Sequence, residues 1–403
     1  MKRLFCDYYI GEYSSYGSYS SVEKREFGFQ LFEGWMLRHK NFQNHDELRE
    51  FLQNSVPSDA YYSCAYYENP TADMDKKGWL GADLIFDIDA DHIPTLCNKI
   101  HDEWKCSDCH SRDKGPVPET CPACGSKKLE VKTWPCEVCL DSAKTETTKL
   151  IDMLVSDFGF SKKEIRVFFS GHRGYHVHIE NDAIKGLEAI GRKEIVDYVL
   201  GLGYDFLFHG LNGKERKIVE LRGPRVSASG WDKRVFDSAC NFVRNAKKED
   251  FSGMGLRGNL VDILLENRDA ILKNWEDLGS LCVVKGVSSE TLKKIMGLCL
   301  QNLSAKIDTV VTTDIHRLIR LPNTLHGKTG MKKVEFSVAD IGNFDPFTNA
   351  ITFRKGNVTV FVASAPEFRL QDETFGPYQQ QKVDLPTAAA LLLVCKGKAE
   401  VAE

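Results

Sequence analysis

Two aspartates close an apolar segment, Ala82-Asp83-Leu84-Ile85-Phe86-Asp87-Ile88-Asp89. In an extended strand, residues i and i+2 face the same side. Asp87 and Asp89 then stand about 7 Å apart at the backbone, two rises of roughly 3.3 Å, near enough to bracket one cation or bridge two. Paired carboxylates ending an apolar strand repel and lose hydration, which a bound cation relieves. A solvated strand end running on into Asp91 and His92 is the competing reading. A second concentration of chemistry is Ser170-Gly171-His172-Arg173-Gly174-Tyr175-His176-Val177-His178. Two glycines free backbone amides around a tight bend, which suits phosphate oxygens. Ser170 can donate a hydroxyl, Arg173 can fork two oxygens, and His172 or His176 can add donors. A plain hairpin turn, or a metal pair made by His176 and His178, fits the same residues. The third cluster runs from Asp308 through Asp314 to Arg317, Arg320 and Leu325-His326-Gly327-Lys328-Thr329-Gly330. Its cations can hold a polyphosphate or simply line a basic loop. The Lys328-Thr329 pair resembles the end of a P-loop, but Pro322 stands where GxxxxGK[ST] needs glycine, so no ATPase is read from it.

Seven of the 13 cysteines fall between Cys97 and Cys139. The other six are scattered and read as buried thiols. Cys106-x-x-Cys109, eleven residues, then Cys121-Pro122-Ala123-Cys124-Gly125 makes two turns that aim four thiolates at one centre, the donor set of structural zinc. Cys136-Glu137-Val138-Cys139 finds its complement in Cys97 and His101, a second zinc site of three thiolates and one imidazole, with His110 as a competing ligand. Closed sites of this kind fold loops and do not predict catalysis.

Short strands are expected at 27–29 and 35–38, a helix at 46–54, the apolar strand at 82–89, a helix at 146–158, and strands at 166–170 and 175–179 around the glycine turn. Strand signals return at 309–311, 333–338 and 358–363. Residues 1–25 are Tyr/Ser-rich and read as partly irregular. The expected organisation is a core in three pieces (1–96, 141–184 and 306–365), a zinc-binding insertion at 97–140, a helical subdomain at 185–305 and a C-terminal tail at 366–403 of linker-like sequence with a short amphipathic or apolar helix. The class is α+β, a mixed-sheet core with one helical and one zinc-binding insertion. With 403 residues, 42% apolar and 27% charged, the composition excludes collagen-like and wholly disordered chains. The apolar run at 388–395 is too short to cross a bilayer, and the N-terminus shows no signal-peptide stretch, so a cytoplasmic protein is expected. The net charge of −4 gives no bulk attraction to nucleic acid.

Taken together, the Asp87-Ile88-Asp89 strand end, the Ser170–His176 turn and the Leu325–Gly330 segment occur in the order seen in the small, catalytic subunit of archaeal and eukaryotic DNA primases, which this chain resembles from about residue 25 to 365, most closely in its archaeal form. The resemblance implies a primase-type catalytic core in which Asp87 and Asp89 bind two Mg²⁺ or Mn²⁺ ions with a third carboxylate, Asp308, or Asp314 in its place. It implies that Ser170, Arg173 and His176 hold the triphosphate of an incoming nucleotide, with His326 and Lys328 from the other side, and that Arg320 and Arg38 add nucleotide or template contacts. His172 occupies a position that is often arginine in the family. The family's zinc knuckle matches Cys97, His101, Cys136 and Cys139, and the Cys106–Cys124 ribbon looks like an added module within it.

The implied function is DNA-dependent synthesis of short primers on single-stranded template, by transfer from nucleoside triphosphates with release of pyrophosphate. A heterodimer with a large primase subunit that carries an iron–sulfur cluster is implied as well; no such cluster is expected in this chain, and no membrane. Template contact can draw on Lys214, Arg216, Lys217, Arg222 and Arg225. A stand-alone primase-polymerase is the near alternative, and a non-catalytic zinc-ribbon nucleic-acid-binding protein is the alternative of another class. In a prokaryote the protein is expected to associate with the nucleoid.

Overall fold

Alternation of apolar and polar residues builds the two sheets that carry the site. The computed structural model describes residues 1–13, 19–95, 97–204, 222–225, 229–256, 258–284 and 287–402. It has a mixed α+β architecture divided into two compact units, one formed by Met1–Thr148, Ser161–Lys193 and Lys306–Glu403, the other by Lys149–Phe160 with Glu194–Ala305.

In the first unit, one four-stranded antiparallel sheet has the order Leu318–Arg320, Asp59–Ser63, Phe27–Gln30, Met36–Lys40. A second has the order Val334–Phe336, Ile165–Phe169, Gly174–Ile179, Leu84–Asp89. Leu84, Phe86 and Ile88 point to the buried side of the second sheet with Val167, Phe169, Tyr175 and Val177, which leaves Asp87 and Asp89 on the opposite face. The sheets are tied by buried polar contacts. Tyr62 Oη lies 3.2 Å from His178 Nδ1. Arg25 pairs with Asp83 at 2.6 Å, both side chains almost wholly buried, and its guanidinium lies over the Tyr66 ring.

The cysteine-rich segment forms its own three-stranded sheet, with Glu103–Cys106 between Arg112–Lys114 and Leu129–Lys132. The second unit is mainly helical. Its Gly230–Asn245 helix buries Trp231, Val235, Phe236, Ala239, Cys240 and Val243, a three-four spacing that makes one apolar stripe. Among the described residues no helix is long and apolar enough to cross a membrane.

Three segments depart from the sequence expectations. Residues 309–311 belong to a helix, Thr309–Thr313, not a strand. The Asp308 carboxylate accepts the Val310 N–H at 3.0 Å, and this cap with local packing outweighs the strand preference of Thr-Val-Val. Residues 2–11 form a helix that buries Phe5, Tyr8 and Tyr9, aromatic positions spaced three and four apart. Residues 366–403 hold the expected short apolar helix at Thr387–Cys395, but the rest is not linker-like: it forms a Phe368–Leu370/Glu373–Phe375 hairpin and two strands, Tyr378–Pro386 and Ala399–Val401, that flank Asn357–Ala365. Of the expected template patch, Lys214, Arg216 and Lys217 lie outside the described residues.

Candidate active site

Strand register places the first chemical group. Asp87 is directly opposite His176 and Asp89 opposite Gly174. A Cβ at Gly174 would lie 2.2 Å from the Ile88 carbonyl oxygen, so only glycine lets the returning strand come this close beside Asp89. His176 Nε2 stands 3.6 Å from an Asp87 oxygen, while its Nδ1 is buried without a hydrogen-bond partner among the described residues. The Asp308 N–H donates to the Asp87 carbonyl at 2.8 Å, which seats the third carboxylate beside the pair. Asp314 lies at the far end of that short helix, where its side chain accepts the His316 N–H. Burial, then Asp89 and Asp308, push the Asp87 carboxyl up to about 7, against the pull of Lys333 and Arg317. Burial also raises Asp89, opposed by Arg173 and His92. Three crowded carboxylates are therefore poised to gain from a cation.

Beside them is a ring of basic groups. The Ser170 hydroxyl oxygen accepts the N–H groups of His172 and Gly174 at 3.3 and 3.2 Å, closing the loop and leaving its own hydrogen to donate outward. Thr329 Oγ1 donates to the Gly171 carbonyl at 2.5 Å and so joins this loop to the 326–330 segment. His172 stacks on His326 with ring centroids 5.0 Å apart. Burial, reinforced by neighbouring cations, holds His172, His176 and His326 well below the usual imidazole range. They are neutral donors and acceptors in the ligand-free protein. Lys328 is exposed, and its N–H donates to His326 Nδ1 at 3.1 Å.

All three expected arginines are already engaged. Arg173 is fully buried; its Nη1 donates to both Asp102 oxygens at 2.7 and 2.9 Å, its Nη2 bonds Asp91, and Nε has no partner. Arg320 donates to Asp59 at 2.6 Å, and the same Asp59 oxygen accepts the Gly327 N–H at 3.0 Å. Arg38 stands on the edge strand of the other sheet, paired with Glu26 at 2.8 Å. Asp59, Asp102 and the fully buried Lys333 escaped the reading of the sequence. Lys333 donates to the Arg320 carbonyl at 2.9 Å and acts electrostatically on Asp87. None of the three sits in a motif; only the adjacency of Asp102 to His101 offered a hint.

Both cysteine clusters close. The ligand atoms of Cys106, Cys109, Cys121 and Cys124 lie within 4.8 Å of one another, and so do those of Cys97, His101, Cys136 and Cys139. His101, not His110, is the imidazole that joins the second set. Four thiolates, or three thiolates and an imidazole, fit a tetrahedral metal. Asp102 bridges this cluster to the glycine turn: one of its oxygens is 2.7 Å from His101 Nδ1 and also accepts from Arg173.

Comparison with known proteins places the arrangement. Residues 127–338 match the family model described as DNA primase small subunit, a span that holds the Ser170–His176 turn and the 308–330 segment. Over 402 residues, covering all of this chain and 98% of the relative, the sequence is 33% identical to the DNA primase small subunit PriS of Nitrosopumilus maritimus. It is 34% identical over 403 residues to the same subunit of Methanococcoides burtonii, covering 94% and 93% of the two chains. The PriS of Cenarchaeum symbiosum is 33% identical over 400 residues, covering 99% and 97%. With the full length matched by archaeal relatives, including the strand that ends in Asp87 and Asp89, this chain belongs to the DNA primase small subunit family in its archaeal type and is a nucleotidyltransferase.

Proposed function

We propose that this chain synthesises short primers de novo on single-stranded DNA, with Asp87, Asp89 and Asp308 as the catalytic carboxylates. The observation that carries the reading is the juxtaposition of the crowded Asp87, Asp89 and Asp308 carboxylates with the Ser170–His176 turn, which Thr329 joins to the 326–330 loop. The carboxylates would hold two divalent cations, Mg²⁺ or Mn²⁺, which when bound would activate the 3′-hydroxyl and steady the leaving pyrophosphate. The chain's own groups position the reactants. Ser170 donates its free O–H to a phosphate oxygen, and His172, His176 and His326 offer imidazole donors. Lys328 from its loop and Arg320 from the end of its strand add charge, and Arg173 presents its Nε, which has no partner among the described residues. Asp102 and Asp59 keep the two arginines oriented before the nucleotide arrives, which lowers the cost of ordering them. Arg38 is assigned to nucleotide or template contact. No side chain is assigned as a dedicated general base.

The two cysteine sets are assigned to structural zinc. The cysteine-rich segment at 97–140 is read as the zinc-binding insertion, 185–305 as the helical insertion, and the sheets around Asp87 as the catalytic core. The partners are single-stranded template, nucleoside triphosphates and a large primase subunit bearing an iron–sulfur cluster. The test is nucleotide incorporation on unprimed single strands with the large subunit present. Asp87→Ala and Asp89→Ala should each lower incorporation by at least about a hundredfold while zinc content and far-UV dichroism stay unchanged. Unchanged incorporation would sink the catalytic assignment. Full primer synthesis without the large subunit would favour a stand-alone primase-polymerase.

A further inference from the structure

The helix Thr387–Cys395 is apolar on nearly all sides and buries Thr387, Ala389, Ala390, Leu391, Leu392 and Leu393. Its Leu391 packs on Gly330, where an added Cβ would lie 2.5 Å from Leu391 Cδ2 and where φ is +72°. The helix is thereby locked to the His326–Gly330 loop. It ends at Lys396, whose N–H bonds the Leu392 carbonyl, and the chain returns at once into the strand Ala399–Val401. Anchored on both sides, Lys396 sends its amine to 2.7 Å from His172 Nε2.

The company of that amine is unusual. Burial, and after it repulsion from Arg173 and Lys328, lower its pKa to about 7; Cys395 and Asp102 act in the opposite sense. Among the described residues its hydrogen-bond partner is an imidazole nitrogen, and although it acts electrostatically on Asp89 it makes no ion pair with a carboxylate. Two residues on, Lys398 shows the ordinary arrangement, with Nζ 3.2 Å from Glu103. A lysine kept only for packing gains nothing from a buried amine that is beside Arg173 and Lys328 and unpaired with any carboxylate of the described residues. A lysine kept for an anion does.

We propose that Lys396 is a nucleotide-binding residue that donates directly to a phosphate oxygen of the incoming nucleoside triphosphate, with neutral His172 holding the amine in place through Nε2. The proposal rests on the reading of this site as a nucleoside-triphosphate site. In this division His172 accepts at Nε2, keeps its Nδ1–H as a donor, and leaves the charge to Lys396. An arriving polyphosphate supplies a direct counter-charge to Lys396, which stands beside Lys328 and Arg173, so the amine is fully protonated when the site is filled.

The test compares wild type, Lys396→Met and Lys396→Arg, each full-length and with the large subunit. It measures nucleotide KM and kcat, inhibition by inorganic tripolyphosphate, and the melting temperature of the nucleotide-free protein. Lys396→Met should raise KM and the tripolyphosphate inhibition constant about tenfold or more with a smaller change in kcat, and should leave melting unchanged or raised. Lys396→Arg should recover most of the affinity. The proposal is overturned if Lys396→Met binds nucleotide and tripolyphosphate like wild type. It is equally overturned if lost binding comes with lost stability and Lys396→Arg restores stability alone. Wild type that binds neither ligand would refute the reading of the site itself, a distinct outcome.

Discussion

Replacing Asp87 with asparagine should make the protein more stable and inactive at once. Burial, then Asp89 and Asp308, raise the Asp87 pKa from 3.8 to about 7. At about 1.4 kcal/mol per pKa unit, that shift is a penalty of about 4 kcal/mol on the folded, ionised state. The side chain is 23% exposed, so solvent relieves part of this and about 2–3 kcal/mol is the working figure. The sign follows from proton binding. Between 3.8 and about 7 the folded chain keeps this proton while the unfolded chain releases it. Unfolding free energy therefore falls as pH rises through that window and levels off above it.

The assay is urea unfolding in buffer free of magnesium and manganese, with zinc left in place, followed through the unit that contains Asp87. Wild type should lose about 2 kcal/mol from this site between about pH 5 and about pH 8, and Asp87→Asn should lose much less. At the higher pH the variant should be the more stable protein. Added Mn²⁺ should stabilise wild type more than the variant, because only wild type offers all three carboxylates. Incorporation should be lost in the variant at every pH. A variant less stable than wild type at the higher pH, or one with the wild-type pH slope, would refute the argument that these carboxylates are crowded for a cation.

Zinc analysis of the purified chain should give two ions per chain, with Cys124→Ser and Cys139→Ser each removing one. Asp102→Asn should raise nucleotide KM about tenfold, because Arg173 loses its orienting carboxylate, while zinc content by metal analysis persists. Asp83→Asn leaves the Arg25 guanidinium buried without its charge partner and should cost about 3–5 kcal/mol in urea unfolding. Without its partner subunit, the chain (net charge −4) should bind single strands weakly and lose them readily as salt rises, measured by fluorescence anisotropy.

What the sequence made legible was local. Asp87 and Asp89 share a face because a strand repeats every two residues, and the paired Cys-x-x-Cys turns announce a metal site through their own spacing. The glycine turn declared a tight bend, and Gly174 does bring one strand against the next. The groups that went unread are the ones that orient or balance charge. Asp59 meets Arg320 across 261 residues of chain, and Asp102 meets Arg173 across 71. No spacing rule connects such pairs, because each depends on where distant segments return. Thr309–Thr313 failed as a strand for a related reason: Asp308 caps a helical turn and its backbone bonds to Asp87, so contacts outside the segment decided its form.

The same logic explains why the sequence of residues 366–403 gave no sign of chemistry. An anion site needs several cations close together, and cations placed side by side along the chain would repel in any local structure. Folding solves this by bringing each from a different segment: Arg173 from a hairpin, Arg320 from a strand, Lys328 from a loop, Lys396 from a helix end. Repulsion among them is tolerated because helix Thr387–Cys395 and the sheet strands bury enough apolar surface to hold the array open. Charge assembled in this way is invisible to composition and to a net charge of −4. It becomes visible only when the fold places cations with no motif in common around one bend.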